Sequence, residues 1–246
     1  MLELAVVIIA AVFLLAGLVK GVLGLGLPTI SMGLLAVTMP PGQAAAMLVV
    51  PSLVTNVWQM LVGPHLLTLT RRLGGMLVAA CIGTGLGAGW LTGPYARYGA
   101  VALGLSLIVY ALLSLAAVRI KVRREHEIWL GPLVGLLTGL ITAATGVFVI
   151  PAIVYLQGIG LEKDELVQAL GLSFTVSTVA LSVNLIGAGV LNVSLAATAV
   201  AALVTAVIGM WLGQLVRLRL DQDTFRRFFF IGLLLLGVYL AGRGLI

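Results

Sequence analysis

Long apolar stretches alternate with short polar or basic turns along the whole chain. Most of these stretches have the length of a helix that crosses a bilayer, and a few are shorter. The pattern predicts an all-α polytopic membrane protein with a basic linker after its fifth apolar segment. The predicted segments are 2–19, 22–39, 43–62, 73–92, 98–118, 129–141, 147–158, 166–187, 194–216 and 226–245.

Four motifs from the first half of the chain recur in the second half in the same order. The matched pairs are GLVKGVLG at 17–24 with GLLTGLIT at 135–142, Pro28 with Pro151, Gln43-Ala44 and Ser52 with Gln168-Ala169 and Ser177, and IGTGLG at 82–87 with IGMWLG at 208–213. Matches in a fixed order predict an internal duplication. We therefore expect two diverged transmembrane repeats, 1–118 and 129–246, joined by a basic cytoplasmic linker at 119–128.

The distribution of Lys and Arg between the loops predicts the orientation in the membrane. With ten membrane crossings or their equivalent, the loops on one side of the membrane contain only Arg97 and Arg243. The loops on the other side contain the remaining loop Lys and Arg. The basic side holds Arg71, Arg72, Arg119, Lys121, Arg123, Arg124, Lys163, Arg217, Arg219, Arg226 and Arg227. The positive-inside rule makes this side cytoplasmic and puts both termini outside.

Segment 129–141 is too short to cross the membrane alone, because at about 1.5 Å per residue it reaches only about 20 Å of a core about 30 Å thick. One tilted helix over 129–158 would be long enough, but it would move the arginines of 217–227 outside. A hairpin of two short helices preserves the orientation. We expect each repeat to open with such a broken-helix hairpin, followed by three spanning helices. The repeats then start on opposite sides of the membrane as an inverted pair, an architecture that secondary transporters use.

Composition narrows the class of protein further. Apolar residues make up 61% of the chain and charged residues only 9%, whereas an ordinary soluble domain has about 25% charged residues. The net charge of +6 lies mainly in the predicted loops, so it indicates membrane orientation and no nucleic-acid partner. The single cysteine excludes an internal disulfide. The sequence contains no HExxH, CxxC or GxSxG motif and no intramembrane carboxylate pair. It therefore gives no indication of an enzyme, a metal site or a cofactor.

Lys20 lies between the two apolar segments of the first hairpin, where a charge is costly. At the bilayer centre a charged side chain costs about 2.5–3.5 kcal/mol on insertion scales, so it needs compensation there. The alternative is that Lys20 extends to the cytoplasmic surface. The acidic residues all lie in predicted loops or near a terminus. A lone lysine without an acidic partner suits an anion, whereas a cation pathway has no obvious residue to use.

Further candidate residues accompany Lys20 in the two hairpins and in the helices that follow them. Glycines can let a helix unwind and aim backbone N–H groups at an anion, or they only let helices pack closely. Hydroxyls and amides can donate hydrogen bonds to an oxyanion, or they only link helices. Gln43 and Gln168 open equivalent helices, so we expect their side chains to meet near the symmetry axis. The candidate substrate-binding residues are Lys20, Gly21, Gly24, Gly26, Gln43, Ser52, Asn56, Thr138, Thr142, Thr145, Gly146, Gln168 and Ser177.

Four segments resemble the TauE/SafE family of sulfite exporters, and the resemblance extends over nearly the full chain. The segments are GLVKGVLGLGLPT at 17–29, QAAAMLVVPSLVTNVWQ at 43–59, TGLITAATGVFVIP at 138–151 and ELVQALGLSFTVS at 165–177. The resemblance implies a multi-pass permease of the bacterial inner membrane that exports small sulfur-containing anions such as sulfite or sulfoacetate.

The favoured function is a secondary transporter that exports a small sulfur-containing oxyanion, such as sulfite or a sulfonate, by alternating access. The inside-negative membrane potential drives anions outward, so export could run as a facilitated process. Two alternatives stay open: an importer or permease of another small organic anion, and a non-transporting membrane subunit. The expected partners are the small anionic substrate and the lipid bilayer, with a homo-oligomer left open.

Overall fold

The computed structural model describes residues 2–117, 120–191, 196–217, 219 and 221–244. Of the predicted segments, repeats and linker, residues 1, 118, 119, 192–195, 218, 220, 245 and 246 lie outside this part, as does the side chain of Arg97. The described residues form α helices and two short 3₁₀ helices, with no strand. The α helices are α1 Leu2–Leu23, α2 Leu27–Leu35, α3 Pro41–Leu61, α4 Leu66–Leu86, α5 Gly99–Leu115, α6 Glu127–Thr145, α7 Ala152–Gly158, α8 Lys163–Gly187, α9 Ala196–Arg217 and α10 Gln222–Arg243.

Seven of the described helical stretches are long and apolar enough to cross a membrane. They are Val6–Leu23, Pro41–Leu61, Leu66–Leu86, Arg124–Thr145, Lys163–Gly187, Thr198–Arg217 and Asp223–Arg243. Large apolar side chains point outward from them: Trp211, Phe228 and Leu235 are each more than half exposed. Such an apolar outer surface fits lipid and is rare on soluble monomers. The prediction of an all-α polytopic membrane protein is confirmed.

The first hairpin breaks later than predicted. Helix α1 continues past Lys20, and Gly24 and Gly26 then turn the chain with φ angles of 76° and 112°. Glycine adopts such left-handed angles without the strain that a side chain adds. Pro28 lies in the first turn of α2, where its missing N–H costs nothing. The predicted break directly at Lys20 is therefore wrong, and Lys20 lies in the last turn of α1.

The second hairpin has a longer first arm than predicted. Helix α6 has 19 residues, which corresponds to about 28 Å, so the short helix predicted over 129–141 is wrong. Glu127 lies in the first turn of α6, and its carboxylate accepts two hydrogen bonds, at 2.8 and 2.7 Å, from Arg72 of α4. In both hairpins the short arm comes second: α2 has nine residues and α7 has seven. Each hairpin thus combines one long and one short helix.

The helices pack in four main pairs. Helix α1 packs along α9 and α6 along α4, whereas α3 packs along α8 and α5 along α10. If α1 to α5 exchange places with α6 to α10 in the same order, the same four pairs are obtained. The first helix of each half therefore packs along a helix that belongs to the other half. This pairing scheme supports the predicted duplication, which stays a prediction.

Glycines permit the close approach in two of these pairs. On α1, Gly17 and Gly21 lie against backbone carbonyl oxygens of α9, which an added Cβ would meet at 2.1 and 2.2 Å. On α6, Gly135 and Gly139 lie in the same way against carbonyl oxygens of α4, at 2.0 and 2.2 Å. Small residues of this kind let membrane helices approach until their backbones touch.

These backbone contacts correct one of the predicted repeat matches. Gly213 of α9 lies against the carbonyl oxygen of Leu18, and Gly83 of α4 lies in the same way against Leu136. Leu18 and Leu136 occupy matching positions in the motifs that open the two repeats. Gly83 therefore corresponds to Gly213, one helical turn beyond its predicted match, Gly209.

Hydrogen bonds between helix ends define two ends of the bundle. At one end, Arg72 near the start of α4 binds Glu127 at the start of α6. At the same end, Gln168 of α8 binds the carbonyl oxygen of Gly63, in the loop between α3 and α4. We call this the basic end, because most described Lys and Arg lie there. They are Arg71, Arg72, Lys121, Arg123, Arg124, Lys163, Arg217, Arg219, Arg226 and Arg227.

Helices α1 and α6 run in opposite directions relative to the basic end. Helix α1 ends there, since the Gln59 side chain near the end of α3 donates to the carbonyl oxygen of Gly24 at 3.4 Å. Helix α6 begins there with Glu127. Opposite directions are what an inverted pair of repeats requires. The inversion and the cytoplasmic location of the basic end stay predictions.

Replacing Gly139 with alanine should destabilise the protein, because the new Cβ would lie 2.2 Å from the carbonyl oxygen of Ala80 and push α6 away from α4. We expect a loss of about 1–3 kcal/mol, measured as a lower melting temperature in detergent. Gly85→Ala on α4 is the matched control, since an added Cβ there meets no atom within 4 Å. Equal melting temperatures of the two variants would contradict the packing described for α4 and α6.

Candidate functional site

A cavity of about 1320 Å³ opens at the basic end of the bundle. Its wall combines the end of α1 with parts of α3, α5, α7, α8, α9 and α10, and with the loop at 120–122. Helix α1 contributes Lys20 and Gly21, and Gly24 follows, so the first hairpin break lies at the cavity. A volume of this size exceeds the roughly 300–1,000 Å³ of most ligand pockets, which indicates a vestibule leading to a smaller site.

Lys20 lies in the wall of this cavity with only 5% of its surface exposed. Its Nζ donates hydrogen bonds to Thr55 Oγ1, at 3.0 Å, and to Asn56 Oδ1, both on α3. The Thr55 hydroxyl donates its own hydrogen to the carbonyl oxygen of Pro51 at 2.7 Å, so its oxygen can accept from Lys20. The lysine side chain therefore turns toward α3 instead of extending to the surface.

The charge on Lys20 has no acidic counterpart in the described interior of the bundle. Among the buried residues that the structure describes, Lys20 is the only charged one. An ammonium group carries three hydrogens, and two of them are bonded to α3. Neutral oxygen partners reduce the cost of burying a charge without removing it. An anion in the cavity beside Lys20 would therefore stabilise both the ion and the lysine.

Further polar groups on α3 and α5 are buried without a hydrogen-bond partner among the described residues. The Asn56 oxygen accepts from Lys20, and the two hydrogens on its amide nitrogen remain free. Ser52 lies one turn before Asn56 on α3, and its hydroxyl has no partner. The hydroxyl of Tyr110 on α5 is also buried and unpartnered, and Tyr110 lines the cavity. Since buried polar groups are nearly always hydrogen-bonded, these donors indicate a site for a ligand or water.

Ser177 of α8, the predicted counterpart of Ser52, is likewise buried with an unpartnered hydroxyl. Helices α3 and α8 run antiparallel, with Gly171 against the backbone of Met60. Counting along both helices from this contact puts Ser177 within about one turn of the height of Ser52. The two serines therefore lie at a similar height, farther from the basic end than Lys20.

The structure does not bring Gln43 and Gln168 together, so the expected meeting of their side chains is wrong. Gln43 is exposed at the opposite end of α3, about 25 Å along the helix from Met60. The Gln168 amide donates to the carbonyl oxygens of Met60 and Gly63 at 2.9 and 2.8 Å. Its oxygen accepts from the backbone N–H of His65 at 3.0 Å. Gln168 thus holds the loop between α3 and α4 and has no free donor for a substrate.

The threonines of α6 use their hydroxyl hydrogens within their own helix. Thr138, Thr142 and Thr145 each donate, at 2.7 Å, to the carbonyl oxygen four residues earlier. All three are buried, and none of them lines the cavity beside Lys20. Gly146 ends α6 with a φ angle of 71°, packed against Met32 and Ala45. Their expected role as hydrogen-bond donors to an anion has no support in these contacts.

Among the polar residues of the cavity wall that sequence reasoning missed are Gln59 and Tyr110. Gln59 donates to the carbonyl oxygens of Gly24 and Val167, and so bridges the first hairpin break to α8. It follows Thr55 by one turn, a spacing that could have indicated a shared face. Tyr110 was hidden in an apolar segment, where the one available signal was a lone hydroxyl among aliphatic residues.

The wall of the cavity carries a surplus of positive charge. Besides Lys20, its charged residues are Lys121, Lys163, Arg217, Arg226 and one acid, Asp223. Two other acidic residues at this end are paired with bases outside the cavity wall: Glu127 with Arg72 at 2.7 Å and Glu125 with Arg123 at 3.0 Å. A cleft lined by one sign of charge attracts ions of the opposite sign. Among the described residues, no group of three or more His, Cys, Asp or Glu could hold a metal ion.

The family model described as Sulfite exporter TauE/SafE matches residues 9–240 of this chain. The match includes both hairpins, Lys20 and the described wall of the cavity. No curated protein and no solved structure matches the chain.

Replacing Gln168 with alanine should destabilise the protein, since it would remove the three hydrogen bonds by which this buried side chain holds Met60, Gly63 and His65. We expect a loss of about 1–3 kcal/mol in a detergent unfolding experiment. Gln43→Ala is the matched control from the position predicted to be equivalent in the first half of the chain, and its exposed side chain should contribute less than about 0.5 kcal/mol. A larger loss for Gln43→Ala than for Gln168→Ala would contradict these assignments.

Proposed function

The chain belongs to the TauE/SafE family of sulfite exporters, and we propose that it is a secondary transporter that exports a small sulfur-containing oxyanion by alternating access. The family consists of membrane transporters for sulfur-related anions. Sulfite and sulfonates are the proposed substrates, and the bacterial inner membrane is the proposed location. In this proposal Lys20 is the anchor for the anion, and no catalytic step takes place.

The observation that carries the proposal is the buried ammonium of Lys20 in a cation-lined cavity. A lysine that is exposed to only 5% and has only neutral partners is expensive to keep in a bundle interior. Buried charged groups can often be replaced by well-packed apolar residues without loss of stability. Retention of the charge is therefore better explained by a ligand than by stability, and the ligand that offsets a positive charge is an anion.

The asymmetry between the two hairpins supports alternating access. Thr138 occupies in α6 the position that Lys20 occupies in α1, because the neighbouring glycines make matching backbone contacts. Lys20 faces an open cavity at the basic end, whereas Thr138 is fully buried. A transporter built from inverted repeats is expected to have one of its two equivalent positions open and the other closed when its site is accessible from only one side of the membrane. The glycine contacts make α1 with α9 and α4 with α6 suitable rigid units for the rocking motion.

Export is the direction that the membrane potential favours. If the basic end is cytoplasmic, as the positive-inside rule predicts, the cavity receives anions from the cytoplasm. An inside-negative potential then contributes about 2.3 kcal/mol per charge and 100 mV to outward movement. An importer of another organic anion would use the same cavity, and transport of labelled substrates separates the two.

Purified protein in liposomes should exchange labelled sulfite or a small sulfonate across the membrane, and Lys20→Gln should slow this counterflow about tenfold or more. The estimate follows because a hydrogen bond to a charged group contributes about 1.5–3 kcal/mol, and 1.4 kcal/mol corresponds to about tenfold. Lys20→Arg keeps the charge and should retain more flux than Lys20→Gln. Wild-type rates and anion preference in Lys20→Gln would contradict the anchor role. Absence of flux for every anion would favour a non-transporting subunit.

Neutralising cations at the mouth of the cavity should slow entry from that side at low ionic strength. Electrostatic steering raises association rates by about 10–10³, so we expect Lys121→Gln combined with Arg217→Gln to lower the initial rate several-fold. The difference should shrink at high salt because of screening. Arg123→Gln is the control, since Arg123 is paired with Glu125 and does not line the cavity. An equal loss for Arg123→Gln would contradict steering by the cavity.

A further inference from the structure

We propose that the protein binds the acyl chain of an anionic phospholipid, such as phosphatidylglycerol, in an apolar groove between α1, α2 and α10. This inference goes beyond the proposed function, because it does not depend on which anion is transported. It follows from the shape and position of the groove and from the arginines at its end.

The groove is a second cavity, separate from the one beside Lys20. Its volume is about 350 Å³, and its described lining consists of aliphatic and aromatic side chains and one glycine, Gly232. Two of the lining residues, Leu15 and Phe228, are 48% and 71% exposed, so the groove opens on the outer surface of the bundle. In a protein with several membrane-spanning helices this surface faces lipid chains.

The shape of the groove fits one hydrocarbon chain. On α10 it extends from Phe225 to Leu236, which corresponds to about 16 Å at about 1.5 Å per residue. Over this length the volume gives a mean cross-section of about 20 Å². A helix with its side chains is about 10–12 Å across, so its cross-section is several times larger. The groove is therefore too narrow for a helix of another chain and wide enough for a row of methylene groups.

The groove also has the depth of one leaflet of the bilayer. Phe225 lies in the first turn of α10 at the basic end, and Leu236 lies about 16 Å deeper, about half of an apolar core about 30 Å thick. A lipid whose headgroup lies at the basic end can therefore place one acyl chain along the groove. The apolar lining does not favour water, and an empty groove would lose van der Waals contacts along its length. An acyl chain supplies these contacts.

Arginines lie at the end of the groove that meets the membrane surface. Helix α9 packs along α1, and the loop after α9 leads from there to the start of α10, the opposite wall of the groove. The charged residues of the stretch 217–227 are Arg217, Arg219, Asp221, Asp223, Arg226 and Arg227. The Asp221 carboxylate caps α10 by accepting from the backbone N–H of Thr224 at 3.2 Å. Arg219 and Arg227 are exposed and do not line the cavity beside Lys20. A basic cluster next to spanning helices attracts anionic headgroups.

The groove and the cavity beside Lys20 lie back to back. Val19 lines the groove and Lys20 the cavity. Phe229 lines the groove and Phe230 the cavity, with their ring centroids 4.8 Å apart. Helix α1 packs mainly along α9, and α10 packs mainly along α5, so an acyl chain in the groove fills the seam between two helix pairs. Lipid binding should therefore stabilise the folded protein.

A side chain that fills the groove tests the acyl-chain site. An added Cβ at Gly232 meets no atom within 4 Å, so Gly232→Phe should occupy the groove without displacing a neighbour. We expect phosphatidylglycerol to raise the melting temperature of the full-length wild-type protein in a neutral detergent by about 5 °C, and Gly232→Phe to lose most of this rise. Gly242→Phe is the matched control on the same helix and should keep the rise, since an added Cβ there also meets no atom and Gly242 does not line the groove. An equal rise in Gly232→Phe and in the wild type would overturn the inference.

The headgroup preference is measured on the wild type by native mass spectrometry, so the result does not depend on the folding of a variant. From equimolar phosphatidylglycerol and phosphatidylcholine with the same acyl chains, the protein should retain phosphatidylglycerol about tenfold more often. Arg219→Gln combined with Arg227→Gln should abolish this preference. Arg71→Gln combined with Arg124→Gln should keep it, because these arginines are also exposed at the basic end and do not line the groove. Retention of neither lipid, or of both equally, would overturn the inference. A dimer that Gly232→Phe dissociates would also overturn it, because a second copy would then fill the groove.

Discussion

The site depends on a buried charge and on the helix break in the first hairpin, and the hydrogen bonds from Lys20 to α3 stabilise both. They hold the last turn of α1 against Thr55 and Asn56, so the break at Gly24 and Gly26 follows inside the bundle and not at its surface. The chain turns there with left-handed glycines and returns as the short helix α2. An ammonium held by neutral oxygens can exchange part of its solvation for an anion, which an ammonium in a salt bridge could not do without breaking the bridge.

Around this site the two halves of the chain form one scaffold with the same pairing of helices. Close backbone contacts at Gly17 and Gly21 on α1 recur at Gly135 and Gly139 on α6, as the predicted duplication would require. The symmetry is lost in the side chains: a lysine in one half corresponds to Thr138 in the other, whose hydroxyl bonds only its own helix. The scaffold therefore supplies two equivalent places, and the side chains make only one of them charged.

The apolar periodicity and the loop charges predicted the helical membrane fold, the two hairpins and the common location of the basic residues, because these follow from local composition. The length of α6 could not be predicted from the apolar pattern, because its first turn includes the charged Glu127, whose partner Arg72 lies far away in the sequence. The different roles of Gln43 and Gln168 could not be predicted from the sequence either. Both fit the same motif, and only the fold of the loop near Gly63 makes one of them buried and fully bonded. Lys20 was recognisable because a charge among aliphatic residues always needs a physical reason.

The exchange of helices between the halves has a consequence for biosynthesis. The backbone groove that Gly17 and Gly21 offer is filled by α9, which the ribosome makes only near the end of the chain. Until then α1 has inserted into the bilayer without its main neighbour, and a charged side chain near its end must be tolerated by lipid, water or the translocation machinery. Contacts so distant in sequence form late. The first half of the protein is thus an unfinished membrane-inserted intermediate that completes its fold only when the last spanning helices arrive.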